Sequence, residues 1–405
     1  MSRLEDCFNL HDFVGAARRR LPGPLFHYID GGADDELTKC ANSKAFERYS
    51  LMPRYLNDIR KVDMRRTVFG CELEWPLLLS PTGMTRVFHP DGEIAVAVEA
   101  ARAGVAYSLS TMATTSIEDV AAASSGPKIY QLYLLNDDAL NLEMIDRCKA
   151  AGFDAICLTV DTVVAGNRER DLRYGLTVPP RLGRRNLLSF AQRPTWCLNY
   201  LTSQSITLPN VPMADGGGNL GTLAAFFAAK MEQHITWSRV ERLMQYWGKP
   251  FVIKGLQSVE DARNAAAAGV SGIIVSNHGG RQLDGGAATV DLIANIVDAV
   301  GDQLEVVLDG GVRRGSHIVK ALAMGARACM IGRPYLYGLS AFGQPGVARV
   351  LGLLKQETQR TLALLGCANV DELGRQHIMA AGKLPEFLTS ATPHSTSQTL
   401  LRSVK

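Results

Sequence analysis

The sequence predicts an α/β chain organised as a closed (β/α)8 barrel, with an N-terminal helical region and a long inserted loop after the fourth strand. Three observations predict it. Eight short β-rich apolar runs recur after roughly the first seventy residues, most end in a polar or glycine-containing cluster, and Ala-rich segments of helical period separate most of them. The runs are "WPLLLSPTG" (75–83), "AYSLSTM" (106–112), "KIYQLY" (128–133), "AICLTVD" (155–161), "FVIKG" (251–255), "GIIVSNH" (272–278), "EVVLDGG" (305–311) and "ACMIGRP" (328–334). A doubly wound open sheet also alternates strand and helix, but eight buried strands are best satisfied by closure.

Helices such as "GEIAVAVEAARAG" and "SVEDARNAAAAG" each close on a glycine at the expected C′ position. Capping boxes are expected at Thr115 with Glu118 and at Ser238 with Glu241. The expected organisation is a single domain over 1–405, with a helical region at 1–70, the barrel at 71–370 and the inserted loop at about 178–236. Roughly ninety residues separate Asp161 from Phe251, far more than an ordinary βα connection needs. Within them, "RLGRRNLL" and "PTWCLNYL" are basic and amphipathic, and "NLGTLAAFFAAKM" (219–231) reads as a short apolar helix. The insert reads either as a lid over the barrel mouth or as a membrane-surface patch.

The chain has 405 residues and is 46% hydrophobic, an ordinary fraction for a protein with a full core. Its 43 Lys and Arg against 40 Asp and Glu leave +3, too little for a nucleic-acid footprint, so small partners are expected. Eight cysteines show neither disulfide-scaffold density nor a CxxC metal spacing, which points to reduced thiols in a cytoplasm and no metal site. The segment "MSRLEDCFNLHDF" does not read as a signal peptide, and no apolar run is long enough to span a bilayer.

In a barrel of this kind, functional groups gather at the C-terminal strand ends. Those ends carry Ser110, Gln131, Tyr133, Thr159, Asp161, Lys254, His278 and Arg281, a strongly polar collection. His278 lies in "SNHGGRQLDGG" (276–286), where glycines keep the backbone free of side chains and so let something approach closely. An imidazole suits proton abstraction near neutral pH, and Asp161 is placed to orient it. Arg281 and Arg168, the latter in "GNRERD", are the residue type that clamps a carboxylate bidentately. "DGGVRRG" (309–315) and "IGRP" (331–334) put glycines and arginines after the last two strands, the usual phosphate site of the fold, with Arg313 on the anion. No GxGxxG or GxxxxGK[ST] occurs at a strand-to-helix turn, so a phosphorylated cofactor is favoured over a dinucleotide cradle or NTP loop. Lys254 offers a cation to a ring that gains negative charge on reduction.

These motifs, with "FHYIDGGADDE", "QLY", "TVD", "RERD" and "VIKG" in the same order, resemble the FMN-dependent (S)-2-hydroxy-acid oxidases and dehydrogenases. The resemblance runs from about residue 8 to about residue 380 and is closest in look to the bacterial L-lactate and (S)-mandelate dehydrogenases. It implies FMN as cofactor and oxidation of a lactate- or mandelate-type acid to the 2-oxo acid, with electrons passed to a quinone or another carrier. The alternative is an oxidase that passes them to O2 and yields hydrogen peroxide. By the same resemblance the catalytic residues are His278, the base, Asp161, its partner, and Tyr133, which faces the hydroxyl region, and the substrate is bound by Tyr28, Arg168, Arg281 and Tyr133. Pro81, Thr82, Gly83, Ser110, Gln131, Thr159 and Lys254 line the isoalloxazine, and Ser276 also belongs to the cofactor site. Asp309, Gly311, Arg313, Gly332 and Arg333 hold ribityl and phosphate. The resemblance also implies a homotetramer, and a cytoplasmic protein or one lying peripherally on the inner face of the cell membrane through residues 181–235. Gly83 is similar to the dehydrogenases, where many oxidases carry alanine. Met112 departs from the tryptophan of glycolate oxidase. A non-redox FMN isomerase or a non-catalytic FMN-binding scaffold leaves His278, Arg168 and Arg281 without a joint task.

Overall fold

Eight parallel strands pair in chain order and close on themselves in the computed structural model, which describes residues 3–175, 183–211 and 230–381. They are β1 (Leu77–Leu79), β2 (Ala106–Ser110), β3 (Lys128–Leu132), β4 (Ala155–Thr159), β5 (Phe251–Leu256), β6 (Gly272–Val275), β7 (Glu305–Asp309) and β8 (Ala328–Ile331). Closure is made by β8, which pairs with β7 on one side and β1 on the other. Seven strands lie within the expected runs and β5 extends one residue past its run, to Leu256, and the open-sheet alternative falls away.

Successive side chains of a strand point to opposite faces, so every second residue enters the barrel. Leu78, Ala106, Ile129, Ala155, Cys157, Val252, Ile274, Val307, Ala328 and Met330 form one buried apolar cluster inside it. Their neighbours Leu77, Leu79, Ile156, Leu158, Ile253 and Leu308 join the outer core beneath the helices. A short antiparallel hairpin, Arg66–Val68 with Cys71–Leu73, adds Val68, Phe69, Cys71 and Leu73 to the interior cluster and plugs the N-terminal end. Phe69 and Gly70 turn the hairpin with φ of 51° and 77°, both left-handed as a two-residue primed turn requires. The Phe69 ring lies so close to Gly272, at the start of β6, that a Cβ there would meet it at 2.4 Å.

Helices Leu10–Arg20, Gly23–Asp30 and Leu37–Lys44 open the chain, followed by a short strand Tyr49–Leu51 that pairs with Ile378–Ala380. Asn9 caps the first helix by accepting from the amides of His11 and Asp12 at 2.8 and 3.3 Å. In the insert, helices Arg184–Ala191 and Pro194–Thr202 are moored to the loop after β1. Trp196 Nε1 donates to the Val87 carbonyl at 3.0 Å, and Arg86 Nη2 donates to the Gln204 carbonyl at 2.8 Å. All but the last two residues of the apolar helix expected at 219–231 lie outside the described residues.

The two expected capping boxes are corrected. Helix Ile117–Ala123 is capped by Ser116, whose Oγ accepts from the Asp119 amide at 3.0 Å. Thr115 is unavailable because its hydroxyl donates to buried Glu93 at 2.8 Å. Helix Trp237–Trp247 begins after Thr236, which puts Ser238 inside the first turn.

The plug generates one prediction. Phe69→Ala leaves a void in a buried apolar cluster and lowers the unfolding free energy by about 3–5 kcal/mol, read as a lower urea midpoint with an unchanged slope. The site at the opposite end of the barrel keeps its ligand affinity; a variant that unfolds at the native midpoint contradicts the plug.

Candidate active site

The topmost inward position of each strand is Ser80, Ser110, Gln131, Thr159, Lys254, Ser276, Asp309 and Gly332, two to four residues beyond the apolar interior positions. Apart from Gly332 this layer is polar, those below it are apolar except at Ser108 of β2, and its first seven residues are buried. Buried polar groups must find partners, and these form two arcs. Ser110 Oγ donates to Gln131 Oε1 at 2.6 Å, and Gln131 Nε2 donates to Thr159 Oγ1 at 3.0 Å. Lys254 Nζ lies 2.8 Å from Asp309 Oδ2 and donates to Ser276 Oγ at 2.8 Å. Asp309 also accepts from Ser276 and Ser80, each at 2.8 Å. Burial alone would raise the Asp309 carboxyl and lower the Lys254 ammonium. Their mutual attraction outweighs it, so Asp309 stays below the usual carboxylate range and Lys254 above the usual lysine value.

Asp161 follows β4 and His278 follows β6, and the barrel brings them together. His278 Nδ1 lies 3.0 Å from Asp161 Oδ1, while the buried Asp161 Oδ2 has no protein partner. With Nδ1–H donating to Asp161, Nε2 carries the free lone pair. Burial drives the His278 imidazole below its ordinary value despite the opposing pull of Asp161, so the ring is neutral at neutral pH. Two glycines make this packing fit. Gly255 adopts φ 111°, and a Cβ there would strike Asp161 Cβ at 2.7 Å. Gly280 adopts φ 73°, and a Cβ there would meet the Lys39 amide nitrogen at 2.4 Å. What comes close to this part of the glycine-rich loop is therefore the chain's own N-terminal region. His278 itself has φ 56°, an uncommon conformation for a non-glycine residue. Its amide donates to Ser276 Oγ at 3.1 Å, and a reciprocal amide pair between Asn277 and Asn42 (2.8 and 2.9 Å) ties the loop to helix Leu37–Lys44.

Arg281 and Arg168 flank this pair. The Arg281 guanidinium lies 4.8 Å from the Tyr28 ring centroid and donates to the Tyr28 carbonyl at 2.6 Å. Burial, and then the charge of Arg168, push its guanidinium down to about 10. Two cations pressed together in this way favour an anion between or beside them. Burial, and then the charge of Asp161, raise the Tyr133 phenol to about 12, so it is a neutral hydrogen-bond donor at neutral pH.

After β7 and β8, Gly310 and Gly311 turn the chain and Gly332 opens the next helix. Burial lowers the Arg313 guanidinium, and Arg333 adds to the local positive charge. Arg333 donates to the carbonyls of Ile29, Gly279 and Gly31 at 2.9, 2.8 and 2.7 Å, so much of its hydrogen-bonding capacity joins the N-terminal region to the barrel. Around Pro81, Thr82 and Gly83, Thr82 Oγ1 lies 2.7 Å from the Tyr335 hydroxyl. Glu93 accepts from the amides of Thr85 and Thr114 at 3.1 and 2.8 Å, which locks this loop to the one after β2. The reading of strand ends passed over Ser80, Glu93 and Asn277. Ser80 could have been found by counting two residues on from Leu78, whereas Glu93 sits in a helical pattern with nothing to set it apart.

A family model described as FMN-dependent dehydrogenase matches residues 17–380. An L-lactate oxidase of Nostoc sp. is 40% identical over 92% of this chain and 98% of its own. Glycolate oxidase 1 of Zea mays is 38% identical over 92% of this chain and 95% of its own. Among solved structures, that of a monotopic membrane protein, (S)-mandelate dehydrogenase, superposes with a TM-score of 0.89 at 35% identity, covering 93% of this chain and all of that one.

The Lys254–Asp309 pair yields a prediction of its own. Lys254→Met strands a buried carboxylate and destabilises the fold by about 3–5 kcal/mol. Adding Asp309→Asn recovers part of the loss because the two changes share one interaction. Additive losses in urea denaturation would show that the pair is not coupled.

Proposed function

We propose that this chain, which belongs to the FMN-dependent dehydrogenase family, oxidises an (S)-2-hydroxy acid of the lactate or mandelate type to the corresponding 2-oxo acid. The observation that carries this reading is His278, held 3.0 Å from Asp161 with its imidazole lowered by burial, beside the neighbouring guanidiniums of Arg168 and Arg281. A base next to a carboxylate clamp suits a substrate whose reacting carbon is adjacent to its carboxylate.

The residues present fit FMN. A buried cation, Lys254, stands in a polar layer at the barrel mouth, and Gly332 leaves only ordinary contacts where a side chain would project. Arg313 and the backbone at Gly311, Gly332 and Arg333 would hold ribityl and phosphate together with Asp309. Pro81, Thr82, Gly83, Ser110, Gln131, Thr159, Lys254 and Ser276 would surround the ring. Bound FMN supplies a two-electron acceptor. The chain's own groups do the rest. Arg168 and Arg281 bind and orient the carboxylate, with Tyr28 beside Arg281. The Tyr133 phenol meets the hydroxyl region, and His278 Nε2 receives a proton. Asp161 keeps the ring in the tautomer that leaves Nε2 free and stabilises the imidazolium that forms.

The acceptor is read as a quinone reached at a membrane surface. Leu187, Leu188, Leu198 and Leu201 on the insert's two helices are exposed, which suits a peripheral contact through the 181–235 region. Residues 212–229 of that region lie outside the described residues. Among the described residues no helix is long and apolar enough to cross a membrane. Gly83 supports the dehydrogenase side of the reading only through the resemblance; in this structure a Cβ there would press on Met112 Cβ at 2.7 Å. Faster reoxidation of the reduced protein by O2 than by a quinone would favour the oxidase alternative instead.

Anaerobic titration with L-lactate and (S)-mandelate tests the activity: one of them bleaches the flavin absorbance, and failure of both sends the reading to other acids or away from this chemistry. His278→Ala keeps the yellow colour and slows reduction by about 10²–10⁴-fold; native-rate bleaching in the variant removes His278 from the mechanism. Arg281→Met raises KM by about tenfold to a hundredfold, the value of a hydrogen bond to a charged group, and unchanged kinetics sink the clamp. His278 must be neutral to accept a proton, and its pKa is lowered. kcat/KM therefore stays level as pH falls to the ordinary histidine value of about 6.5 and declines only below it; an acidic limb above that value contradicts the assignment.

A further inference from the structure

We infer that Gln282 is a positioning residue for this reaction: its side-chain amide sets the distance between the proton-accepting pair and the carboxylate clamp. The inference rests on the roles of Asp161, His278 and Arg168 proposed above. Those groups sit on two loops, 161–168 after β4 and 278–286 after β6. Gln282 is part of the second loop and reaches across to the first at four points. Its Nε2 donates to the carbonyl of Asp161 at 3.0 Å and to that of Val164 at 2.8 Å. Its Oε1 accepts from the Gly166 amide at 3.3 Å and from Arg168 Nη2 at 3.4 Å.

One amide group thus touches the backbone of the residue that orients the base and the side chain of a residue that binds the carboxylate. It uses both donors and both acceptor positions, the full capacity of a glutamine amide. The segment it bridges is irregular from Asp161 to Arg168, so no helix or strand ladder fixes the spacing between the two functional groups. Backbone packing reinforces the bridge: a Cβ on Gly166 would meet the Arg281 carbonyl oxygen at 2.3 Å and Gln282 Cα at 2.8 Å. Arg168 Nε also lies 3.5 Å from that same carbonyl oxygen. Val164 is exposed, so water competes for the outer edge of the loop and the amide is the specific tie at its inner edge. Because misplacing a reacting group by about 1 Å can cost about a hundredfold in rate, holding this spacing bears on binding and on chemistry together.

The test is rapid mixing of FMN-loaded Gln282→Leu with L-lactate and (S)-mandelate under anaerobic conditions. It reads the limiting rate of flavin reduction and the apparent Kd separately, both per bound flavin. The leucine keeps the volume and removes all four bonds. The expected result is a limiting rate lower by about tenfold to a hundredfold together with a raised Kd, while flavin content stays native because the amide touches none of the cofactor residues. Gln282→Glu is the second variant. It keeps an acceptor for Gly166 and Arg168 but has no donor for Asp161 and Val164, so its limiting rate falls as well. A rate and Kd within twofold of native in both variants, whatever happens to the melting temperature, overturn the inference. Asp161→Asn and Arg168→Met, measured alongside, separate the two levels. If those controls are impaired and the Gln282 variants are not, only the positioning role fails; if the controls are native, the reading beneath it fails too. In Gln282→Leu/Arg168→Met the two effects on Kd combine less than additively, because both changes act on one contact.

Discussion

Closure of the sheet is the constraint from which the site follows. Once β8 pairs with both β7 and β1, eight strand ends face one small space, and the period of two sends one residue from each into it. Below that level the interior is filled by Leu78, Ile129, Val252, Ile274, Val307 and their neighbours and is sealed from the far end by Phe69. Above it the same inward face carries Ser80, Gln131, Thr159, Lys254, Ser276 and Asp309. The change from apolar to polar falls at the topmost inward position of most strands and one step earlier on β2, at Ser108. The packed half is buried and apolar, and the half it supports is a polar rim whose groups already bond one another in two arcs.

The electrostatics of the rim have a common logic. Lys254, Arg281, Arg168, Arg313 and Arg333 gather at one end of the barrel, and burial opposes the charge on several of them. Asp309 compensates Lys254 directly, and Asp161 engages His278. Arg281 and Arg333 are satisfied largely by backbone carbonyls of Tyr28, Ile29, Gly31 and Gly279, which are dipoles rather than charges. A region built this way holds excess positive potential that an anionic ligand relieves, which suits both a phosphorylated cofactor and a carboxylate substrate.

The N-terminal region belongs to the site as much as the barrel does. Tyr28 lies under Arg281, Asn42 grips Asn277, and the Lys39 backbone fills the space beside Gly280. Arg170, two residues after Arg168, bonds Asp30 at 2.6 Å and also pairs with Glu36, while Tyr337 donates to Asp30 at 2.8 Å. Lys254 and Asp309 keep their charges inside the barrel, and this second network keeps the N-terminal helices in register with the loop that carries the clamp.

The number of strands, their places, the period that makes the upper layer polar and the motifs that mark the FMN family were legible in the chain because they depend on local pattern. Runs of five to nine β-rich residues and glycines at helix ends carry their meaning wherever they occur. So does the clustering of Arg, His and Asp at strand ends, which brought Asp161, His278, Arg168 and Arg281 into one reading. The caps failed by a residue or two for a non-local reason: Thr115 is taken by Glu93, twenty-two positions away. Glu93, Asn277 and Gln282 have the same character, since each is an ordinary polar residue whose importance comes from partners on other loops. Hydrogen-bond partners across a fold leave no periodic trace in sequence. The sequence by itself determined the barrel, its cofactor class and the residue types at its mouth. Only the tertiary structure decided which of those residues touch, because barrel closure rather than chain proximity sets the 3.0 Å between His278 and Asp161.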